Sequence, residues 1–247
     1  MSNPNENFLV IFGSGETAPS AVKVYTSIFQ KIGKDKVTIA IITTSAGFQP
    51  NVEIVHQDIA GFFQKSLQNF HPQIKIIYAN DKDTANDIEV ISNIDDADYI
   101  FIGPGSPTYA AQHLKNTLLL EKIITKVQNG TNLILASAAL AFSRYCLPVY
   151  EIYKVGEDLY WEKGLDVYNQ LIRPLTLITH FNNNEGGSKN DTSYCFMGEK
   201  RFNKLLKLLP TDEEIWGLDE HTAVICNLEA KNLKTLGKGN LHEINNQ

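Results

Sequence analysis

Thr131-Asn132-Leu133-Ile134-Leu135-Ala136-Ser137-Ala138-Ala139-Leu140-Ala141 decides how this chain reads. The apolar, β-branched-rich run Leu133-Ile134-Leu135 predicts a buried strand. It ends in a serine flanked by small residues, and a helix-compatible segment follows at once. A serine between strand and helix is the layout of a nucleophile elbow. The turn holds the hydroxyl clear of the sheet, and the following helix start offers backbone N–H groups to an oxyanion. A second strand-like run, Leu175–Thr179, leads into His180, placed where a base could serve Ser137.

The same alternation runs outward through the chain. Phe8–Phe12 reads as a strand, Gly13–Glu16 as its turn and Thr17–Ile32 as a helix with Thr17 as cap and Pro19 in its first turn. Val37–Thr43, Gln73–Tyr78 and Tyr99–Ile102 read as further strands, and Asn51–Asn69 and Thr108–Gln128 as helical. Near-continuous apolar strands separated by helices predict a mostly parallel sheet covered on both faces. Ligands bind such sheets at the carboxyl ends of the strands. That edge would carry Gly13–Glu16, Thr43–Gly47, Gly103–Ser106, Ser137 and His180. Beyond it, Lys200–Leu209 reads as helix, and Ile215-Trp216, Thr222–Cys226 and Asn232–Leu236 as short strands. No repeat, low-complexity tract or linker divides the 247 residues, so one α/β domain over residues 1–247 is expected.

Composition narrows the function classes. A net charge of -6 disfavours nucleic-acid and anionic-membrane surfaces. The longest apolar run, about Leu133–Phe142, is far short of a membrane span, and Met1–Asn7 has no cationic or apolar leader region. The three cysteines, Cys146, Cys195 and Cys226, are scattered without CxxC spacing. They read as reduced thiols of a cytoplasmic protein, neither a disulfide frame nor a zinc site. No carboxylate or histidine spacing suggests a metal, and neither glycine loop is a dinucleotide or phosphate fingerprint. No cofactor is called for.

Taken in order, these blocks resemble the S51 serine peptidase family, the cyanophycinase and aspartyl-dipeptidase group with a class I glutamine amidotransferase-like (flavodoxin-like) fold. Phe12-Gly13-Ser14-Gly15-Glu16 resembles its first loop. Ile100-Phe101-Ile102-Gly103-Pro104-Gly105-Ser106 resembles its oxyanion loop, Ala136-Ser137-Ala138-Ala139 its elbow, and Thr179-His180-Phe181 its His-Phe pair. Gly217-Leu218-Asp219-Glu220-His221-Thr222-Ala223 resembles its late acidic segment. The chain reads as a divergent branch. Leu135 and Ala139 stand where the elbow usually has glycines, and Asn182-Asn183-Asn184-Glu185-Gly186-Gly187 stands where cyanophycin-cleaving members carry arginines.

The resemblance implies a serine hydrolase of a small peptide or amide, with family members often self-associating. Ser137 would be the nucleophile and His180 the base. The third member would lie between Tyr150 and Trp161, with Glu157 at the best separation and Glu151 and Asp158 as alternatives. Ala138 and the loop at Gly105 would hold the oxyanion. Glu16, Ser106, Asn182 and Glu185 complete the candidate substrate contacts, Glu16 by capturing a free terminus. His221, beside Asp219 and Glu220, competes with His180. Ser14 lacks the helix a nucleophile elbow needs, and Cys146 and Cys195 sit at no strand-to-helix turn. The contrasting reading is a non-catalytic protein that binds a small molecule or partner in the same cleft, with Ser137 a packing residue.

Overall fold

The computed structural model describes residues 6–245, apart from the side chains of Ser137 and Asn245; Met1–Asn5 lie outside the described residues. In chain order the first half comprises β1 (Phe8–Phe12), α1 (Ala21–Ile32), β2 (Thr38–Ile42), α2 (Val52–Ser66), β3 (Gln73–Ile77), α3 (Ile88–Ser92), β4 (Tyr99–Ile102), α4 (Pro107–Leu114), α5 (Leu118–Gln128) and β5 (Asn132–Leu135). Short strands dominate the rest: β6 (Tyr145–Cys146), β7 (Glu162–Lys163), β8 (Thr176–Ile178), β9 (Glu214–Leu218), β10 (Thr222–Asn227), β11 (Asn232–Gly237) and β12 (Leu241–Asn245).

The central sheet has seven strands in the order β11-β10-β1-β5-β4-β2-β3. Strands β1 to β5 run parallel, while β10 and β11 extend the sheet antiparallel. Strand alternation builds two cores from one apolar run. Phe8, Val10 and Phe12 face α1 and α2 together with Ile39, Ile41, Tyr99, Phe101 and Ile134. Leu9 and Ile11 face the opposite layer of α4 and α5. β1 and β4, inside the sheet, therefore carry buried apolar residues at every position and do not alternate with polar ones.

Local chemistry sets the helix ends. Ser106 caps α4 by accepting from Tyr109 N–H, with Pro107 in the first turn. The helical segments expected over Thr108–Gln128 are the two helices α4 and α5. Asn116 turns left-handed at φ 57°, and the Thr117 hydroxyl caps α5 anew. Likewise α1 starts at Ala21, later than Thr17. Consecutive turns first close from Gly15 to Val22, with Ala18 N–H on Gly15 O and Ala21 N–H on Ala18 O.

The second half departs from a single sheet. The predicted strand before His180 is β8, which pairs in parallel with β9, itself antiparallel to β12. This three-stranded sheet is separate from the central one. It is joined to the end of β1 by a main-chain bond from His180 N–H to Gly13 O at 3.0 Å, while Gly13 N–H continues the β1–β10 ladder by donating to Thr222 O at 2.8 Å. The approach is so close that a Cβ on Gly13 would lie 2.1 Å from Asp219 O. A third core forms around this sheet from Leu140, Cys146, Leu147, Ile178, Phe202 and Ile215, among others.

The loop after β4 is equally tight. Ser45 Oγ lies 3.0 Å from both Gly103 O and Pro104 O, positioned to donate to them, while Ser106 N–H donates to Ser45 O at 2.8 Å. Gly105 sits between them at φ +148°, and a Cβ there would lie 2.0 Å from Ser45 O. Gly105→Ala is expected to cost about 2–3 kcal/mol through strain and overpacking. By contrast, Gly61→Ala, in open space on α2, should gain about 0.5–1 kcal/mol from helix propensity. Urea unfolding of the two variants beside the parent protein measures both.

Candidate active site

The carboxyl ends of β1, β2, β4 and β5 meet at one edge, and the seam at Gly13 brings His180 to it. His180 is left-handed at φ 49°, a conformation rare outside glycine, asparagine and aspartate. Its N–H is held on Gly13 O, and its Nδ1 lies 2.8 Å from Glu220 Oε1. Asn183 Nδ2 donates to the same carboxylate oxygen, also at 2.8 Å. Asn182 Oδ1 accepts from Glu220 N–H at 2.8 Å, so the acid is braced through both main chain and side chain. With Nδ1 directed at Glu220, Nε2 is the ring nitrogen left to face the strand-end edge.

The carboxylate beside His180 Nδ1 is Glu220, outside the Tyr150–Trp161 stretch in which an acid was expected. Glu157 is exposed and accepts from Tyr160 Oη at 2.9 Å. Glu151 accepts from Thr108 Oγ1 at 2.6 Å, and Asp158 is exposed. None of the three bonds His180. The reason is register. Ile178 of β8 pairs with Gly217 of β9, so two steps further along two parallel strands His180 comes beside Asp219 and Glu220. Asp219 turns the other way: it is buried, lies 3.0 Å from His242 Nε2 and accepts from Asn240 N–H. The signal for Glu220 was present in the late Asp219-Glu220 pair, but only strand pairing assigns it to His180.

Ser137 opens a six-residue 3-10 turn, Ser137–Phe142, directly after β5; its side chain lies outside the described residues. A longer helix was expected there. Ala138, Ala139, Leu140, Ala141 and Phe142 are apolar and buried, and the chain then enters β6. Leu135 is accommodated as an ordinary strand residue, in register with Ile11 and Ile102. The turn begins only after it. Ala138 is buried in the first turn, and Ala139 O accepts from Tyr168 Oη at 3.0 Å. The first N–H groups of such a turn have no intrahelical partner.

Glu16 is buried, and Tyr25 Oη donates to its main-chain oxygen. Burial pushes its carboxyl above the usual value of 4.5, opposed by its own backbone amide and by the charges of His180 and His221. Glu220 is shifted the opposite way, below 4.5, chiefly by the hydrogen bond from His180, against a burial penalty. His221, the competitor of His180, lies against Gly15 with a buried, unpartnered Nδ1. Ser106 is engaged in capping and in a bond with Thr108 Oγ1, whereas Glu185 is exposed beside a cavity of about 330 Å³ that His180, Thr179 and Gly105 also line. Larger depressions of about 890 and 760 Å³ lie on the Tyr109–Tyr160 side and at the opposite end of the sheet. Neither of these is lined by His180, whereas the smaller cavity is, which makes it the candidate site.

The thiols take no part. Burial pushes Cys195 up to about 12 and Cys146 higher still, which removes the reactive thiolate at neutral pH. Among the described residues no group of three or more His, Cys, Asp or Glu side chains converges as a metal site, and no helix is long and apolar enough to cross a membrane.

No protein-family model and no curated protein matches the chain. Solved structures do. A peptidase from an acI-B1 actinobacterium superposes with a TM-score of 0.77 at 22% identity, covering 99% of this chain and 93% of its own. A candidate Peptidase E protein from Listeria monocytogenes EGD-e superposes with a TM-score of 0.60 at 17% identity, covering 95% of this chain and all of its own. The shared feature is the fold: an α/β chain with a mostly parallel central sheet flanked by helices.

Glu16 yields a pH-dependent expectation. A carboxyl whose folded pKa is raised favours the folded state while protonated, and that contribution is lost as pH rises through the raised value. At neutral pH the burial of this carboxyl is therefore a cost. Glu16→Gln should raise the Tm by about 2–4 °C at pH 7, and the gain should shrink toward zero near pH 4. Calorimetric scans at the two pH values check this.

Proposed function

We propose that this chain is a serine hydrolase of the S51 type that cleaves a small peptide or amide bond. The observation that carries the reading is the His180–Glu220 pair, braced by Asn183, on the strand-end edge to which β5 delivers Ser137. The two solved structures give independent support through their described activities, a peptidase and a candidate Peptidase E. Ser137 Oγ attacks the carbonyl carbon as its proton passes to His180 Nε2, and Glu220 stabilises the imidazolium. Ala138 N–H and a backbone N–H near Gly105 receive the oxyanion. The tetrahedral adduct collapses, the amine leaves with the proton from His180, and an acyl ester remains on Ser137. Water then attacks that ester with His180 again as base, and Ser137 regains its hydroxyl hydrogen.

Glu16 supports an exopeptidase preference, because a buried carboxylate is matched by the ammonium of a free amino terminus. Asn182 enters as a brace for Glu220, through its bond to the Glu220 amide. The reading includes a cytoplasmic location, supported by three free, buried thiols, and a single self-associating unit over residues 1–247, as the sequence resemblance implies.

Release of amino acids from a dipeptide and tripeptide library, followed by chromatography, tests the chemistry. Ser137→Ala and His180→Ala should each lower kcat/KM by about 10³-fold or more, and Glu220→Gln by about 10²- to 10⁴-fold. Glu157→Gln should leave it within about twofold. Full turnover in Ser137→Ala would remove the serine mechanism, and a binding role in the same cleft would follow if no library member were cleaved.

A further inference from the structure

We infer that the cavity beside His180 receives an uncharged, apolar side chain, aliphatic or aromatic, from the residue whose carbonyl is attacked. The inference rests on the hydrolase reading above and adds its substrate class. The cavity of about 330 Å³ is bounded by Pro107, Leu140, Val149, Tyr150, Tyr153 and Phe196, with Gly105 and His180 at one side. A residue whose carbonyl lies between Gly105 and His180 has this space available for its side chain. The volume is at the small end of ligand sites, suited to one side chain and its peptide group.

The polar groups in the lining do not make a charge receptor. Lys154 and Glu185 are exposed and of opposite sign, and the Lys154 ammonium is 6.0 Å from the Tyr153 ring. Thr179 Oγ1 and Cys195 Sγ pair with each other at 3.7 Å. Arg201, outside the lining, is committed to the main chain: Nε donates to Met197 O at 2.6 Å and one terminal nitrogen to Phe196 O at 2.8 Å. Its guanidinium also lies 5.9 Å from the Tyr153 ring. An acidic side chain entering here would lose its water with no buried cation in the lining to receive it, since Lys154 is exposed, which is unfavourable. An apolar side chain would exchange water for aromatic contact.

The wall is also fixed in place. Tyr194, Cys195 and Phe196 are three successive left-handed residues, at φ 54°, 57° and 68°. They are held there by bonds from Tyr194 N–H to Phe181 O, Cys195 N–H to His180 O and Phe196 N–H to Thr192 O. The strained turn thus hangs on the main chain of His180 and its neighbour. It sets the Phe196 ring 5.5 Å from the imidazole and 5.2 Å from Tyr153. Such conformations persist only where the surroundings over-determine them.

Xaa-Gly-Gly peptides with Xaa as Leu, Phe, Asp or Lys, free and N-acetylated, test the assignment by two readouts. One is kcat/KM with the parent protein, and the other is calorimetric affinity for Ser137→Ala protein. Leu and Phe should exceed Asp and Lys by about tenfold or more in both. Tyr153→Ala and Phe196→Ala should each reduce the Phe-to-Asp ratio by about fivefold to tenfold, and Phe196→Leu should restore most of it. Should Phe196→Ala not fold, Tyr153→Ala carries the comparison. Apolar preference in binding without any cleavage would uphold the pocket and remove the hydrolase reading. Cleavage with Asp or Lys preferred, equal use of all four, or no binding of any peptide would overturn the pocket.

Discussion

The site depends on one main-chain seam. Gly13 O accepts the His180 amide while the Gly13 amide stays in the β1–β10 ladder on Thr222 O, so the end of β1 holds the second sheet directly against the first. Hydrogen bonds of this kind demand that backbones approach within van der Waals contact, and only a residue without Cβ permits it at Gly13. Everything after the central sheet is placed by that contact. The histidine reaches the strand-end edge, the β9–β10 turn comes beside it, and Glu220 follows from the register. A small displacement at Gly13 would separate groups that are forty residues apart in the chain without altering either of them.

Electrostatics then divides two carboxylates on the same edge. Glu220 is stabilised as an anion by His180 and Asn183, whereas Glu16 is driven toward its neutral form by burial. Groups pushed apart in this way are typical of sites that handle charge, since one acid is kept ionised to support a base while the other awaits a cation. The histidines at 180 and 221 temper the burial penalty on Glu16, so the two acids belong to one electrostatic unit.

The parallel core was legible because its determinants are local. Phe8–Phe12 and Tyr99–Ile102 are apolar at every position, and the Ser106-Pro107 cap signal stands directly before α4. The loops at strand ends followed from topology alone. Three features were not legible, for physical reasons. The strand before His180 is only three residues long, too short to reveal which sheet it joins. After Ser137 the segment to Phe142 is wholly apolar, which gives no periodicity to distinguish a 3-10 turn from a helix. Glu220 is linked to His180 only through the β8–β9 register, so separation along the chain favoured Glu157 instead. Leu135, which argued against an elbow when read alone, is an ordinary in-register strand residue once the turn is seen to start after it.

The three thiols acquire a use from where they lie. Cys226 belongs to the core layer that holds α4 and α5, while Cys146 and Cys195 belong to the core around the second sheet. All are buried and unpaired. An alkylating reagent can reach any of them only when its own layer opens. The order in which the cysteines are modified under mild denaturant therefore reports whether the seam parts before the main sheet loosens, using native residues as the gauge.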